Sequence, residues 1–513
     1  MDLEHKVLAF VDAPAVLRKL QGNGKKLVQC HGTFDLLHPG HIVHFEESRA
    51  LGDVLVVTVT GEEHVNKGPG RPFFSDALRI KSLAALECVD FVIAVPFPAA
   101  VEAIMCVHPD IYCKGKEYED VNRDVTGDMR DDVAAVERIG GRVVYVGSVV
   151  LSSTRLLNQN FETYAPEVRE CCANLAKTFT SDDFKEIVES FSDLNVLIIG
   201  DIIFDRYSTV SVQGLTSKNR ILSGRYIQDD LQAGGALAVF RHVRQFTPNV
   251  TLVSITGEED WINETLSLYV SSESDAVLRV PEFTTVVKQR YVEPQASGKE
   301  LSKLFSVNFI DAQHPSVKIQ DQVCECISSR LENCDLVMAM DFGHGVLEER
   351  VRALVQEKAP FLALNCQTNS NNHGFNIINR QYERADSFSL DQTEIELATG
   401  RRNLDYSAAL SDLMSALNAR YAWLTRGSVE TIGLDSTGSE SRCPPFEDNI
   451  VDSVGAGDAF CAVTSLAAAK RLPLHVSTFM GQLAGAQAVK IVGNRDSIEK
   501  SKFLKGGTTM LSV

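Results

Sequence analysis

The sequence predicts an α/β protein made of two parallel-sheet units. Short strands rich in β-branched residues alternate with helix-length amphipathic stretches throughout the chain. A polar, helix-patterned stretch at 159–194 separates two such series. The first strong strand of each series stops at glycine, as His31-Gly32 and as Gly200-Asp201, where a parallel sheet binds its ligands.

The elements follow in order. Residues 1–24 carry a helical apolar pattern (Val7, Leu8, Phe10, Val11, Val16, Leu17, Leu20) that ends at Gly22-Asn23-Gly24, a turn signal. Lys26–Cys30 reads as a buried strand, and Phe45–Ala50 as part of a helix. Asp53–Thr60 is a Val-rich second strand, Ser75–Leu86 a helix and Phe91–Val95 a third strand. Asp110–Cys113 and Arg142–Val146 complete a unit that ends near Asn158. Residues 159–194 read as a connector plus the first helix of the next domain. Strands then recur at Val196–Gly200, Val250–Ile255, Leu336–Met340, Phe361–Asn365 and Ala422–Thr425. Between them, Tyr207–Ile227 and Thr284–Val307 alternate in polarity and predict a small antiparallel β lid. The expected domains are 1–158 and 195–513, joined by 159–194.

Composition narrows the function. The 513 residues are 44% hydrophobic, enough for sizeable cores, and carry a net charge of -18. That charge argues against nucleic-acid or anionic-membrane partners, so any phosphate site must be a local pocket. No apolar run reaches the roughly 18 residues of a membrane span. The N-terminal Met1-Asp2-Leu3-Glu4-His5 lacks the basic start of a signal peptide. The 12 cysteines show no paired CxxC spacing and mostly lie in apolar runs, which points to buried thiols and a cytoplasmic setting.

Two stretches carry chemistry. The first is His31-Gly32-Thr33-Phe34-Asp35-Leu36-Leu37-His38-Pro39-Gly40-His41, between a strand and a helix. Helix N-termini offer free amides to anions, and glycines let a phosphate approach the backbone. His38 and His41 lie one helical turn apart, so both can serve one phosphate and stabilise charge in an in-line displacement. The second is Asp452-Ser453-Val454-Gly455-Ala456-Gly457-Asp458, before an apolar helix. Its glycine turn can present amides to a transferring phosphoryl group, and Asp458 can accept the proton of an attacking hydroxyl.

With Gly32-Thr33-Phe34-Asp35 before the His pair, Arg71-Pro72, Arg79, Pro109-Asp110, Lys114-Gly115-Lys116 and Ser152-Ser153-Thr154 after it, residues 1–158 resemble the cytidylyltransferase-like family. That family includes the nucleotidyltransferase half of bifunctional heptose kinase/ADP-heptose synthases. The resemblance implies a Rossmann-like domain with His38 and His41 as phosphate-binding catalytic residues. It implies nucleotide contacts at Gly32, Thr33, Phe34, Lys114, Ser152, Ser153 and Thr154, and substrate contacts at Asp35, Lys67 and Arg71. Gly147-Ser148-Val149-Val150-Leu151 stands where the glycerol-phosphate branch has Arg-Thr-Glu-Gly, so ATP and CTP both stay open.

Residues 195–505 resemble the ribokinase-like (PfkB) carbohydrate kinases, through the 452–458 stretch, Gly234-Gly235-Ala236 and Thr425-Arg426-Gly427. The resemblance implies Asp458 as catalytic base and Thr425, Gly427, Gly455, Ala456 and Gly457 as nucleotide contacts. It implies substrate contacts at Asp201, Asp205, Gly234, Gly235, Lys288, Arg290 and Asp341, and Glu394 as a residue linked to Mg2+. Several positions depart from the heptose branch: Leu237 and Asp391 replace Asn, His344 replaces Lys, and Asn365-Cys366-Gln367 replaces Asp-Pro-Lys. The domain order is also the reverse of the usual heptose enzyme.

Together the resemblances imply a bifunctional transferase. It would phosphorylate a sugar or polyol with ATP and Mg2+, and join a nucleotide from ATP or CTP to a sugar phosphate for surface-glycan synthesis. A homodimer through the kinase lid is expected. The competing expectation is an active nucleotidyltransferase with a degenerate kinase half that binds or regulates.

Overall fold

The structure, a computed structural model, describes residues 3–65, 71–116, 128–147, 164–271, 275–293, 301–310, 314–368 and 373–512. The chain divides into two compact units. One comprises Met1–Ala176, Thr180–Lys185 and Leu504–Val513, and the other Lys177–Phe179 and Glu186–Phe503. The chain passes between the units at 176–186, and its last ten residues cluster with the first unit.

In the first unit, strands β1 (Val7–Leu8), β2 (Leu27–Gly32), β3 (Val54–Thr60), β4 (Phe91–Val95), β5 (Ile111–Gly115) and β6 (Arg142–Val146) form a sheet of order β1-β4-β3-β2-β5-β6. Every pairing is parallel. Such a sheet is covered on both faces, so its inner strands are apolar without alternation, and all seven residues of β3 are buried. Helices α1 (Ala13–Gly22), α2 (Pro39–Arg49), α3 (Asp76–Ala84), α4 (Ala100–Val107) and α5 (Asp128–Arg138) connect the strands. Strand order reverses at β2, which makes its C-terminal end the crevice of the fold. One expectation fails here. Residues 7–8 are an edge strand on β4, not helix, and the helix starts only at Ala13, after Asp12 and with Pro14 in its first turn.

The stretch expected as a polar connector contains two helices among its described residues, α6 (Pro166–Ala176) and α7 (Ser181–Ser190). They bury Val168, Cys172, Leu175, Phe184 and Val188.

The second unit holds a sheet of β7 (Val196–Gly200), β10 (Val250–Thr256), β11 (Ala276–Arg279), β14 (Leu336–Asp341), β15 (Leu362–Cys366), β16 (Ser387–Asp391), β17 (Tyr421–Thr425), β18 (Thr431–Asp435) and β19 (Glu440–Cys443). Their order is β11-β10-β7-β14-β15-β16-β17-β18-β19, parallel as far as β17 and antiparallel beyond it. A smaller sheet, β13-β12-β8-β9, is the lid, with β8 (Ile202–Leu215), β9 (Leu222–Gly235), β12 (Val286–Glu293) and β13 (Ser302–Phe309). The lid is mixed, not wholly antiparallel, because β12 runs parallel to β8. Both strands follow parallel strands of the large sheet, β7 and β11, and so enter the lid in the same direction.

Candidate active sites

The first site forms at the end of β2. Pro39 opens α2, and His38 is its N-cap, with Nδ1 accepting from the His41 amide at 3.3 Å. That bond places the neutral ring's proton on Nε2, the nitrogen that can donate. The two imidazoles stack with centroids 3.9 Å apart and planes 12° from parallel. The loop before them is held from beneath. Arg79, 2% exposed, donates to the Thr33 carbonyl at 2.6 Å. Phe34 has a left-handed backbone (φ 47°), and its ring packs in the core against Phe45 and edge-on to His41. A Cβ on Gly32 would lie 3.0 Å from that ring, so glycine makes the room it fills.

His31 lies between Thr58 and Thr60 of β3, and burial, with the charge of Lys114, pushes its pKa down to about 3. It is therefore a neutral wall of the crevice. Lys114, at the end of β5, pairs with Asp132 of α5 at 2.9 Å, and Tyr112 donates to the same carboxylate at 3.1 Å.

Asp35 and Arg71, expected to contact substrate, contact each other at 3.2 Å with side chains 2% and 1% exposed. Asp35 also accepts from the Phe73 and Phe74 amides, both at 2.9 Å, so this carboxylate shapes the 71–74 turn. Lys67, Ser152, Ser153 and Thr154 lie outside the described residues.

The second site is a cavity of about 250 Å³ beneath the lid, lined by Ile203, Asp205, Gly235, Lys288, Arg290, Phe342, Gln367, Val454, Gly455, Gly457, Asp458 and Asn494. Gly455 caps helix Ala456–Ala469 at φ 85°, and a Cβ there would lie 2.4 Å from Asn494 Oδ1. The backbone conformation and the close approach both demand glycine. Asp458 sits in the first turn of that helix. Burial, then the charge of Asp205, raises its carboxyl to about 7, while a 3.2 Å bond from Gln367 and the charge of Lys288 oppose the rise.

Asp205 pairs with Arg290 and accepts from Asn494 Nδ2 at 3.0 Å. A Cβ on Gly234 would come within 2.4 Å of its Oδ2. Lys288 faces Asp205 across the β8–β12 pairing, and its pKa is lowered by burial and by Arg290.

Three expected substrate contacts stand outside this lining, Gly234 beside Asp205 and the carboxylates Asp201 and Asp341. Asp201 accepts from the amides of Phe342 and His344, each at 3.1 Å, and of Val346 at 3.0 Å. Burial, with the nearby charge of Asp341, raises its carboxyl to about 7. Asp341 accepts from Tyr382 at 2.7 Å, Gly343 at 2.9 Å and Asn376 at 3.0 Å. These two carboxylates brace the loop after β14.

Glu394 forms a reciprocal capping box with Asp391 at the start of helix Gln392–Thr399 and accepts from the Thr368 amide at 3.3 Å. Burial and the charges of Asp391 and Asp458 raise it to about 8. Among the described residues, no group of three or more His, Cys, Asp or Glu side chains could hold a metal ion. Thr425 ends β17, and Gly427 follows at φ 52° in an exposed loop. Asn494 and Gln367 line the cavity, although sequence reasoning gave Asn494 no role and noted Gln367 only as a departure from the heptose branch.

Residues 30–192 match the cytidylyltransferase-like family model and residues 374–501 the pfkB family carbohydrate kinase model. The chain is similar to proteins named Bifunctional protein HldE. It is 39% identical over 155 residues to that of Desulfatibacillum aliphaticivorans (30% of each chain) and 42% identical over 115 residues to that of Methylococcus capsulatus (22% of this chain, 24% of that one). The matched part thus spans less than a third of these relatives. A crystal structure of phosphofructokinase-2 from Escherichia coli with substrates and products is 14% identical, with a TM-score of 0.49, and covers 61% of this chain and 98% of that one. No helix among the described residues is long and apolar enough to cross a membrane. Residues 30–192 are therefore similar to the cytidylyltransferase-like family, and residues 374–501, C-terminal to them, to the pfkB family carbohydrate kinases.

Proposed function

We propose that the chain is a bifunctional transferase that makes a nucleotide-activated sugar or polyol for surface-glycan synthesis. The second unit phosphorylates a sugar or polyol hydroxyl with ATP. Asp458 accepts the hydroxyl proton, the amides around Gly455–Gly457 receive the transferring phosphoryl group, and Asp205, Lys288 and Arg290 orient the acceptor. Magnesium fits this arrangement, since a Mg2+ ion is commonly held by one or two carboxylates and the substrate's own phosphates. Glu394, whose buried carboxylate neighbours Asp458, would hold it together with those phosphates, and its charge would neutralise them. The first unit transfers a nucleotide from ATP or CTP to a sugar phosphate. His38 and His41 stabilise charge on the phosphates, and Lys114 binds the nucleotide. The attacking phosphate is already an anion, so this step needs no base. The domain junction lies within 159–194 and the setting is cytoplasmic.

The observation that carries the reading is Asp458, held in a glycine-turned helix start and facing a lid-covered cavity that contains two cations. A mass-spectrometric screen of sugars, polyols and their phosphates with ATP and CTP tests it. A phosphorylated product and a nucleotide conjugate with pyrophosphate are expected, and absence of both overturns the reading. One observation favours a binding or regulatory kinase half: Asp201 and Asp341 are committed to backbone and side-chain donors and do not line the cavity. Binding of a polyol without turnover would select that alternative.

We also propose that a second copy covers the lid. The β8–β9 hairpin exposes Tyr226 (61%) and Ile227 (47%) at a bulge in β9, and β13 exposes Phe305 (54%). Apolar side chains exposed on a projecting sheet are what a second subunit would cover. Sedimentation should show a dimer that Tyr226→Ser with Ile227→Ser converts to monomer, and a monomeric parent chain overturns the assignment.

A further inference from the structure

Asp452, the first residue of the glycine-turn stretch, is 0% exposed. Its carboxylate has four donors, two on each oxygen. Oδ1 accepts from Lys303 Nζ at 2.7 Å and from the Val454 amide at 3.1 Å. Oδ2 accepts from the Tyr207 hydroxyl at 2.8 Å and from the Gly493 amide at 2.9 Å. The backbone donors belong to the cavity floor, since Val454 lines it and Gly493 precedes Asn494, which also lines it. The side-chain donors belong to the lid, Tyr207 on β8 and Lys303 on β13. A backbone bond from Leu301, just before β13, to the Val451 carbonyl at 3.0 Å pins the same seam.

We propose that Lys303 and Tyr207 are positioning residues that couple the seating of the lid to the shape of the glycine turn. One buried carboxylate is shared between lid and floor. While the lid is seated, Lys303 balances its charge, and the Val454 and Gly493 amides stay in place. When Lys303 withdraws, the buried charge loses its cation, and a buried charge without its partner is strongly unfavourable. Asp452 must then turn toward solvent, and that movement releases the turn. Lys303, with a side chain 33% exposed, lies where this exchange with water can occur. The turn is thus ordered only under a seated lid, which confines phosphoryl transfer to the closed, water-excluding state.

This inference rests on the kinase reading, and its test separates the two. Hydrogen exchange of the full chain, without substrate, is compared for the parent, Lys303→Met, Tyr207→Phe and Lys303→Arg. Residues 451–457 should exchange faster in Lys303→Met and Tyr207→Phe and return toward the parent in Lys303→Arg, while β14 stays protected in all four. Unchanged exchange at 451–457 in Lys303→Met overturns the coupling. For turnover, misplacing a reacting group by about 1 Å costs on the order of 100-fold, so kcat for phosphoryl transfer should fall by that order in Lys303→Met. The KM for ATP should change little, and Lys303→Arg should restore kcat. Faster exchange with unaltered kcat overturns the positioning role. Faster exchange in a protein whose parent transfers no phosphoryl group upholds the coupling and sinks the kinase reading instead.

Discussion

Asp458→Asn should lower phosphoryl transfer by roughly 100- to 10,000-fold, the usual contribution of a positioned general base. Asparagine keeps the shape and can still accept the Gln367 bond, so folding and nucleotide binding should survive. The pH profile supplies an independent check. The carboxyl is raised to about 7 by burial and Asp205, and only its ionised form accepts a proton. The parent's kcat/KM should therefore rise about tenfold per pH unit below 7 and level off above it. In Asp458→Asn that rise should vanish. A variant as fast as the parent, or a parent profile flat across pH 7, places the base elsewhere.

His38→Asn and His41→Ala should each lower pyrophosphate release by about 100- to 1000-fold, the cost of losing one donor to transition-state charge. Asparagine is chosen at position 38 because His38 is also the helix N-cap, and losing a cap costs about 1 kcal/mol. Asparagine caps well, so the variant removes the imidazole and keeps the helix start. His38→Ala should lose both, with a lower melting temperature than His38→Asn. The kinase activity should be untouched in all three. Unchanged pyrophosphate release in both His38→Asn and His41→Ala would sink the clamp assignment.

Much of the fold was legible because burial on both faces of a parallel strand leaves an unbroken apolar run. Val54–Thr60 and Val196–Gly200 show this, and both are strands. Val7 and Leu8 misled because two apolar residues on an edge strand have no period of their own, so they merged with the helical pattern that follows. The lid's alternation revealed strands but not their direction, since alternation is the same in parallel and antiparallel pairs. Strand β16 (Ser-Phe-Ser-Leu-Asp) escaped notice because two serines break its apolar run.

The sites divide along the same line. The His38–His41 pair and the Gly455–Asp458 turn were readable because their geometry is local: a cap, one helical turn, a glycine at positive φ. The fate of each carboxylate was not readable, because it depends on donors far along the chain. Asp35 looked like a substrate contact and instead accepts from Phe73 and Phe74, and Asp201 accepts from the loop at 342–346. Asn494 enters the cavity through a bond to Asp205, 289 positions away. The sequence alone determined two α/β units, each with a phosphate-handling turn at a helix start, because short-range periodicity and backbone conformation specify those features. Only the tertiary structure decided which acids face the cavity and which brace loops, because a buried carboxylate goes to whichever amides and cations the packed fold brings within hydrogen-bond reach.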